Sequence, residues 1–175
     1  MSETKGLTRQ QMADRVAREF QDGWIVNLGV GIPTMCSNTD IGDRDITYHS
    51  ENGVIGYGPV AAEGQEDLNL VNAGGQNVTL KPGAAVVHHA DSFGVIRGGH
   101  IDATVMGAYQ VSMTGDFANW ELAGQKGGGI GGAEPSVGKE PKSTSRVRAV
   151  GTVRSSTPAV STSPEARSRR FSLSK

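Results

Sequence analysis

Glu51 stands in the stretch YHSENGVIG, residues 48–56, between Ser50 and an Asn52-Gly53 pair, just ahead of the apolar Val54-Ile55. A carboxylate in that place has two readings. It is a solvated loop charge, as most carboxylates before an Asn-Gly turn are, or it is a nucleophile held at the lip of a site. A second stretch with chemical capacity is NLGVGIPT, residues 27–34. Its Gly29-x-Gly31 lets backbone N–H groups come close to a phosphate or a carboxylate. It is not a dinucleotide fingerprint, because Thr34 occupies the place of the third glycine. The tract GGGIGG, residues 127–132, meets that pattern only as any glycine run would, and no clear strand precedes it. Neither loop continues into the Gly-Lys-Ser/Thr of a Walker loop. His88, His89, Asp91, His100 and Asp102 form a set with metal-binding side chains, but no His-x-x-x-His or Cys-x-x-Cys spacing puts two of them on one face. On the strand expected there, His88 and His89 point to opposite sides. No metal site is expected.

These residues need elements to position them. Residues 7–23 read as a helix. Thr8 is its N-cap, Gln11 completes a capping box, and Leu7 with Met12 forms a hydrophobic staple. Met12, Ala13, Val16 and Phe20 give one apolar face, and Gly23 supplies the stop. Residues 24–28 (WIVNL) predict a strand ending in the glycine loop, and residues 45–49 (DITYH) a strand ending at Ser50-Glu51. Residues 84–90 and 101–111 contain further strand candidates, and 115–122 opens with a turn that brings Phe117 near Trp120. Helix, strand, loop and strand in this order are an α/β pattern with glycine loops at strand ends. Ligands of such sheets bind outside the carboxyl ends of the strands, where Glu51 and the 29–33 loop both fall.

The chain has 175 residues and a net charge of −1, but that neutrality hides a division. Residues 1–133 carry 8 Lys+Arg against 15 Asp+Glu, whereas residues 134–175 carry 9 against 3. The second segment contains 10 Ser, 4 Thr and 4 Pro, with Phe171 its sole aromatic residue. It shows no sustained period, so it cannot offset its chain entropy by burial and is expected to be disordered. Its cations are scattered and lack aromatic platforms, which argues against nucleic-acid binding. A single cysteine, Cys36, excludes an internal disulfide and fits a reducing compartment. No apolar run reaches the roughly 20 residues needed to span a bilayer. The expectation is a soluble, cytoplasmic protein.

HSENGVIG, residues 49–56, resembles the active-site signature of the family I CoA-transferases, in their B-type (beta) subunit. The likeness continues in order through residues 26–34, 72–80, 88–111, 115–120 and 127–133. It is greatest to the B-type subunits that move CoA from succinyl-CoA to a 3-oxoacid, either 3-oxoadipate or acetoacetate. The resemblance implies a CoA-transferase-like open sheet with flanking helices over residues 1–133. It implies a partner A-type subunit in a heteromer, with a CoA thioester as substrate and no cofactor. It also makes Glu51 the nucleophile, which must be ionised, and carries a glutamyl-CoA thioester as intermediate. By the same resemblance Gly132 and Ala133 contribute contacts to the oxyanion, and Asn27 contacts substrate or CoA. Ser50 and Asn52 shape the turn around Glu51. In the first position of the stretch, Tyr48 replaces the Leu or Phe usual in the family.

After Ala133 the likeness stops. Where the family continues Met-Asp-Leu and further strands and helices, this chain reads EPSVGKEPKSTSRVRAV. The expectation is that the C-terminal part of the fold is missing and that residues 134–175 are foreign to it, as a reading-frame change in GC-rich DNA would produce. Two alternatives follow from the residues. Water in place of the acceptor acid would make the chain an acyl-CoA hydrolase, and loss of the last strands would leave an inactive subunit.

Overall fold

The computed structural model describes residues 7–108 and, beyond them, the strand residues 110–111, 117–118 and 146–149. In chain order the elements are helix α1 (Arg9–Ala17), strand β1 (Ile25–Leu28), a 3₁₀ helix (Ile32–Asn38), β2 (Thr47–His49), β3 (Val54–Val60), β4 (Val78–Val86), helix α2 (His89–Arg97), β5 (Ala103–Met106), β6 (Gln110–Val111), β7 (Phe117–Ala118) and β8 (Arg146–Ala149). The main sheet has the order β4-β3-β2-β1-β5-β8, and β6 and β7 form a separate antiparallel pair. Strands β2, β1, β5 and β8 run parallel, while β3 is antiparallel to both β2 and β4. This is the mixed open sheet with flanking helices that the sequence implied.

Helix α1 starts as its sequence dictates. The Thr8 hydroxyl accepts from Gln11 N at 3.2 Å, and Gln11 Oε1 accepts from Thr8 N at 2.9 Å, closing the capping box. Leu7, read as half of a staple, is largely exposed. The helix stops at Ala17, well before Gly23. Arg44, arriving from the loop before β2, caps that end: its guanidinium donates to the carbonyls of Ala17, Arg18 and Phe20, at 3.3, 3.3 and 2.6 Å. Ala17 O also accepts from Phe20 N at 3.2 Å, so Arg44 reinforces the helix end and holds the chain that leaves it. Phe20 is thereby turned into the core, and Gly23 serves the turn into β1, donating to Asp45 O at 2.8 Å.

The sheet separates two packing faces because strand side chains alternate. Tyr48 of β2 points toward α1. Its ring lies 6.3 Å from Phe20 and 5.9 Å from Tyr57, and its hydroxyl donates to Cys36 O at 3.2 Å. Around it Ala13, Ala17, Val26, Leu28, Ile46, Val54 and Val105 complete the core. His49, the next residue, points to the opposite face, where α2 packs through Ser92. The side chains of β1 and β5 are almost wholly buried, as short apolar strands in the middle of a parallel sheet should be. At the N-terminal end of β1, Asp102 locks it to β5: Ile25 N donates to Asp102 Oδ2, and Asp102 N to Ile25 O, both at 2.9 Å.

Some expectations change. Residues 84–90 are not one strand: β4 ends at Val86 and α2 begins at His89, with His88 as N-cap accepting from Ala90 N at 3.2 Å. The run of β-branched residues into a double histidine reads as strand, and histidine is a weak capping signal. Four residues of the segment expected to be disordered, Arg146–Ala149, form β8 beside β5. Among the described residues no helix is long and apolar enough to cross a membrane.

Candidate active site

Parallel alignment of β1, β2 and β5 puts their carboxyl ends at one edge of the sheet. Leu28 is followed by the Gly29–Gly31 loop, and His49 by the turn of residues 50–53. Gly29 N donates to Val105 O at 2.9 Å, which ties the glycine loop to the end of β5. Gly31 has φ +92°, a left-handed conformation open to glycine at little cost, and the Thr34 hydroxyl donates to its carbonyl at 2.7 Å. The loop leads directly into the 3₁₀ helix rather than continuing as coil.

Glu51 is half-buried at the tip of the 50–53 turn, and its flanking side chains are engaged elsewhere. The Ser50 hydroxyl accepts from Ala73 N at 2.8 Å, and the Asn52 amide donates to Val71 O at 2.7 Å. Gly53 N donates to Ser50 O at 3.0 Å, and Ser50 N to Val54 O at 2.8 Å, closing the turn. Val87 N then donates to Gly53 O at 2.9 Å. Gly53 adopts φ +112°, and a Cβ placed there would overlap Val87 O, so no other residue fits. The turn is tied by hydrogen bonds on both sides and its neighbours are committed. Among the described residues, no hydrogen bond or ion pair restrains the Glu51 carboxylate. This arrangement presents a carboxylate without spending it on structure.

The loop that holds the turn is itself fixed. Buried Asn72 accepts through Oδ1 from Gly74 N at 2.9 Å and from Gln76 N at 3.1 Å, an Asx-type closure. Behind the turn lies a buried polar chain. Asn27 and His49 are register partners on adjacent parallel strands, so their side chains share a face. Asn27 Nδ2 lies 3.0 Å from His49 Nδ1, His49 Nε2 lies 3.1 Å from Ser92 Oγ, and Ser92 Oγ donates to Ser50 O at 3.2 Å. Burial of His49 pushes its pKa below the usual histidine value and keeps the ring neutral, partly offset by its hydrogen bonds. His49 and Ser92 lie within stretches quoted for their likeness, yet nothing in sequence alone shows that they meet.

Asn27 contacts His49, two residues before Glu51, and Ser50 and Asn52 tie the turn to residues 71–73. Gly132 and Ala133 lie outside the described residues, as do Trp120 and the tract 127–132. The histidine and aspartate set is dispersed: His88 caps α2, the His89 ring packs edge-on to Phe93 at 4.8 Å, and Asp102 is spent on β1. Among the described residues no group of His, Cys, Asp or Glu is arranged to hold a metal. Cys36 is buried, and loss of solvation pushes its thiol up to about 12, so it is not a competing nucleophile.

An open mixed sheet with a glycine loop and a glutamate turn at the carboxyl ends of its parallel strands is an α/β fold with candidate binding groups where ligands of such sheets sit. The coenzyme A transferase family model matches residues 9–148, past residue 133 and into β8. The chain belongs to that family. It is 51% identical over 138 residues to the B-type subunit of 3-oxoadipate CoA-transferase from Pseudomonas putida, covering 79% of this chain and 62% of that protein. It is 43% identical over 125 residues to the B-type subunit of succinyl-CoA:3-ketoacid coenzyme A transferase from Helicobacter pylori, covering 71% of this chain and 60% of the relative. The chain thus spans somewhat under two thirds of the length of these relatives. In fold it is similar to an acyl-CoA transferase of Escherichia coli, with a TM-score of 0.52 at 22% identity over 75% of this chain and 23% of that one. Glutaconate coenzyme A-transferase of Acidaminococcus fermentans gives a TM-score of 0.51 at 15% identity over 73% and 51%.

Proposed function

We propose that this chain supplies the nucleophile for CoA transfer from succinyl-CoA to a 3-oxoacid, either 3-oxoadipate or acetoacetate, in a cytoplasmic heteromer with an A-type subunit. The observation that carries the reading is the Glu51 turn: a carboxylate at the carboxyl end of a central strand, with both neighbours tied off and its own oxygens unspent among the described residues. The names of the B-type relatives favour the substrates and the partner.

In this reading the Glu51 carboxylate attacks the thioester carbonyl and expels CoA thiolate, leaving an acyl-glutamyl anhydride. The thiolate attacks the glutamyl carbonyl and expels succinate, leaving a glutamyl-CoA thioester. The acceptor carboxylate then attacks that thioester, and the same steps in reverse release the new CoA ester. A covalent route keeps the thioester energy that hydrolysis would dissipate. Each attack develops charge on an oxygen, which needs N–H donors already in place. Gly132 and Ala133 are assigned to that task, and Asn27 to contact with substrate or CoA. CoA enters as substrate, not as a resident cofactor. Residues 1–133 are assigned to this function, and residues 134–175, apart from the strand β8 that they add to the sheet, to a tail without catalytic part. Translation of the DNA past codon 133 in the other two frames tests that division, and the absence of Met-Asp-Leu from both would end it.

The experiment is intact mass after mixing the chain with an A-type subunit and succinyl-CoA. A covalent CoA adduct, lost in Glu51→Gln, is the expected result. An adduct that persists in Glu51→Gln removes Glu51 from the chemistry. No adduct, beside a longer B-type subunit that labels normally, assigns the chain to the inactive form. Release of free acid and free CoA without a new CoA ester would make the reaction hydrolysis.

A further inference from the structure

We propose that His49 and Ser92 are positioning residues for Glu51, acting on the peptide plane that leads into it; this rests on the reading of Glu51 as nucleophile. The direction of the hydrogen-bond chain follows from one contact. Asn27 Nδ2 faces His49 O at 3.4 Å as well as His49 Nδ1 at 3.0 Å. A backbone carbonyl only accepts, so the amide edge turned toward His49 is the NH2 group, and Nδ1 accepts from it. A neutral imidazole whose Nδ1 accepts carries its proton on Nε2. That proton is donated to Ser92 Oγ at 3.1 Å, and the serine hydroxyl, its acceptor capacity engaged, turns its own hydrogen to Ser50 O at 3.2 Å.

The end of the chain is what matters. The Ser50 carbonyl and the Glu51 nitrogen belong to one planar peptide unit, so fixing the carbonyl fixes the direction in which the chain enters Glu51. This carbonyl receives two donors, Ser92 Oγ and Gly53 N, the latter at 3.0 Å. Asn27, His49, Ser50 and Ser92 are all buried, so solvent does not compete for these bonds. The relay joins β1, β2 and α2 to the backbone that carries the carboxylate.

Side-chain length gives a test that a packing role would not satisfy. Glutamine at position 49 carries an amide to about the place of Nε2 and still donates to Ser92, whereas asparagine reaches only the level of Nδ1. The expected result, measured as the rate of CoA adduct formation with an A-type subunit at saturating succinyl-CoA, is a loss of about 30- to 100-fold in His49→Asn and in Ser92→Ala, with His49→Gln within about threefold of wild type. The succinyl-CoA concentration for half-maximal labelling stays within about threefold throughout, because the defect lies in orientation and not in binding. Each variant is compared at a temperature where its circular dichroism shows it folded. Ser92→Ala removes one atom and does not depend on the larger change at position 49. Wild-type labelling by Ser92→Ala and His49→Asn, with Glu51→Gln unlabelled, overturns the positioning role and leaves Glu51 as nucleophile. Equal losses in His49→Gln and His49→Asn beside a normal Ser92→Ala overturn it too. Labelling of Glu51→Gln overturns the reading of Glu51 and this proposal with it.

Discussion

Replacing Gly53 with alanine tests whether the 50–53 turn is as constrained as its geometry implies. Gly53 has φ +112°, where an L side chain is strained by about 1–3 kcal/mol. The new Cβ would also fall well inside the 3.0 Å distance that Cβ atoms keep from other heavy atoms, against Val87 O, which is backbone and cannot rotate away. The turn and residue 87 must separate, and the 2.9 Å bond from Val87 N to Gly53 O is lost with about 1 kcal/mol more. Gly53→Ala should therefore lose about 2–4 kcal/mol in urea denaturation. The catalytic effect should be larger than the stability effect suggests. A shift of about 1 Å in the backbone carrying Glu51 is expected to slow adduct formation by about 100-fold. The assay is denaturation of the chain alone, then the rate of mass increase with an A-type subunit and succinyl-CoA at a temperature where the variant is folded. A variant within about 0.5 kcal/mol of wild type that also labels at the wild-type rate would refute the argument that this turn is held by glycine geometry.

Other consequences are as direct. Tyr57 is fully buried, and among the described residues its hydroxyl has no hydrogen-bond partner, so Tyr57→Phe should raise stability by about 1 kcal/mol, and a loss of that size would show that the hydroxyl is satisfied. Arg44→Met removes the guanidinium donor from the carbonyls of Ala17, Arg18 and Phe20 and should cost about 1.5–3 kcal/mol in thermal or urea denaturation, an unchanged midpoint being the contrary result. Burial lowers the His49 pKa in the fold, so below the ordinary histidine value of 6.5 the unfolded chain binds a proton that the folded chain refuses. Stability should therefore fall as pH drops from about 6.5 toward that depressed pKa, by at most about 1.4 kcal/mol per pH unit, and be flat in this contribution above it. Denaturation midpoints from pH 5 to 8 should show this dependence weakened in His49→Gln, and an identical profile in the variant would assign it elsewhere.

Much of this protein was legible locally. The capping box of α1, the strands at 25–28 and 47–49 and the glycine turns after them follow from interactions between residues close in the chain, and these write themselves into spacing and composition. Even the place of Glu51 was open to reading, since Asn-Gly after a strand favours a tight turn. The likeness to the B-type chains of CoA-transferases rests on the same short segments. What the sequence left open was everything that depends on distant partners. The end of α1 is set by Arg44, because a guanidinium can satisfy helix carbonyls from any place in the chain that brings it near. The helix at 89–97 is hidden behind a histidine cap and a β-branched run, and only its packing against the sheet distinguishes it from a strand continuation. Above all, the sequence could not show that Ser50 is committed to Ala73, Asn52 to Val71 and the Ser50 carbonyl to Ser92. Residue types declared that a carboxylate was available; tertiary contacts decided that its neighbours, and not the carboxylate, would be used to hold it in place.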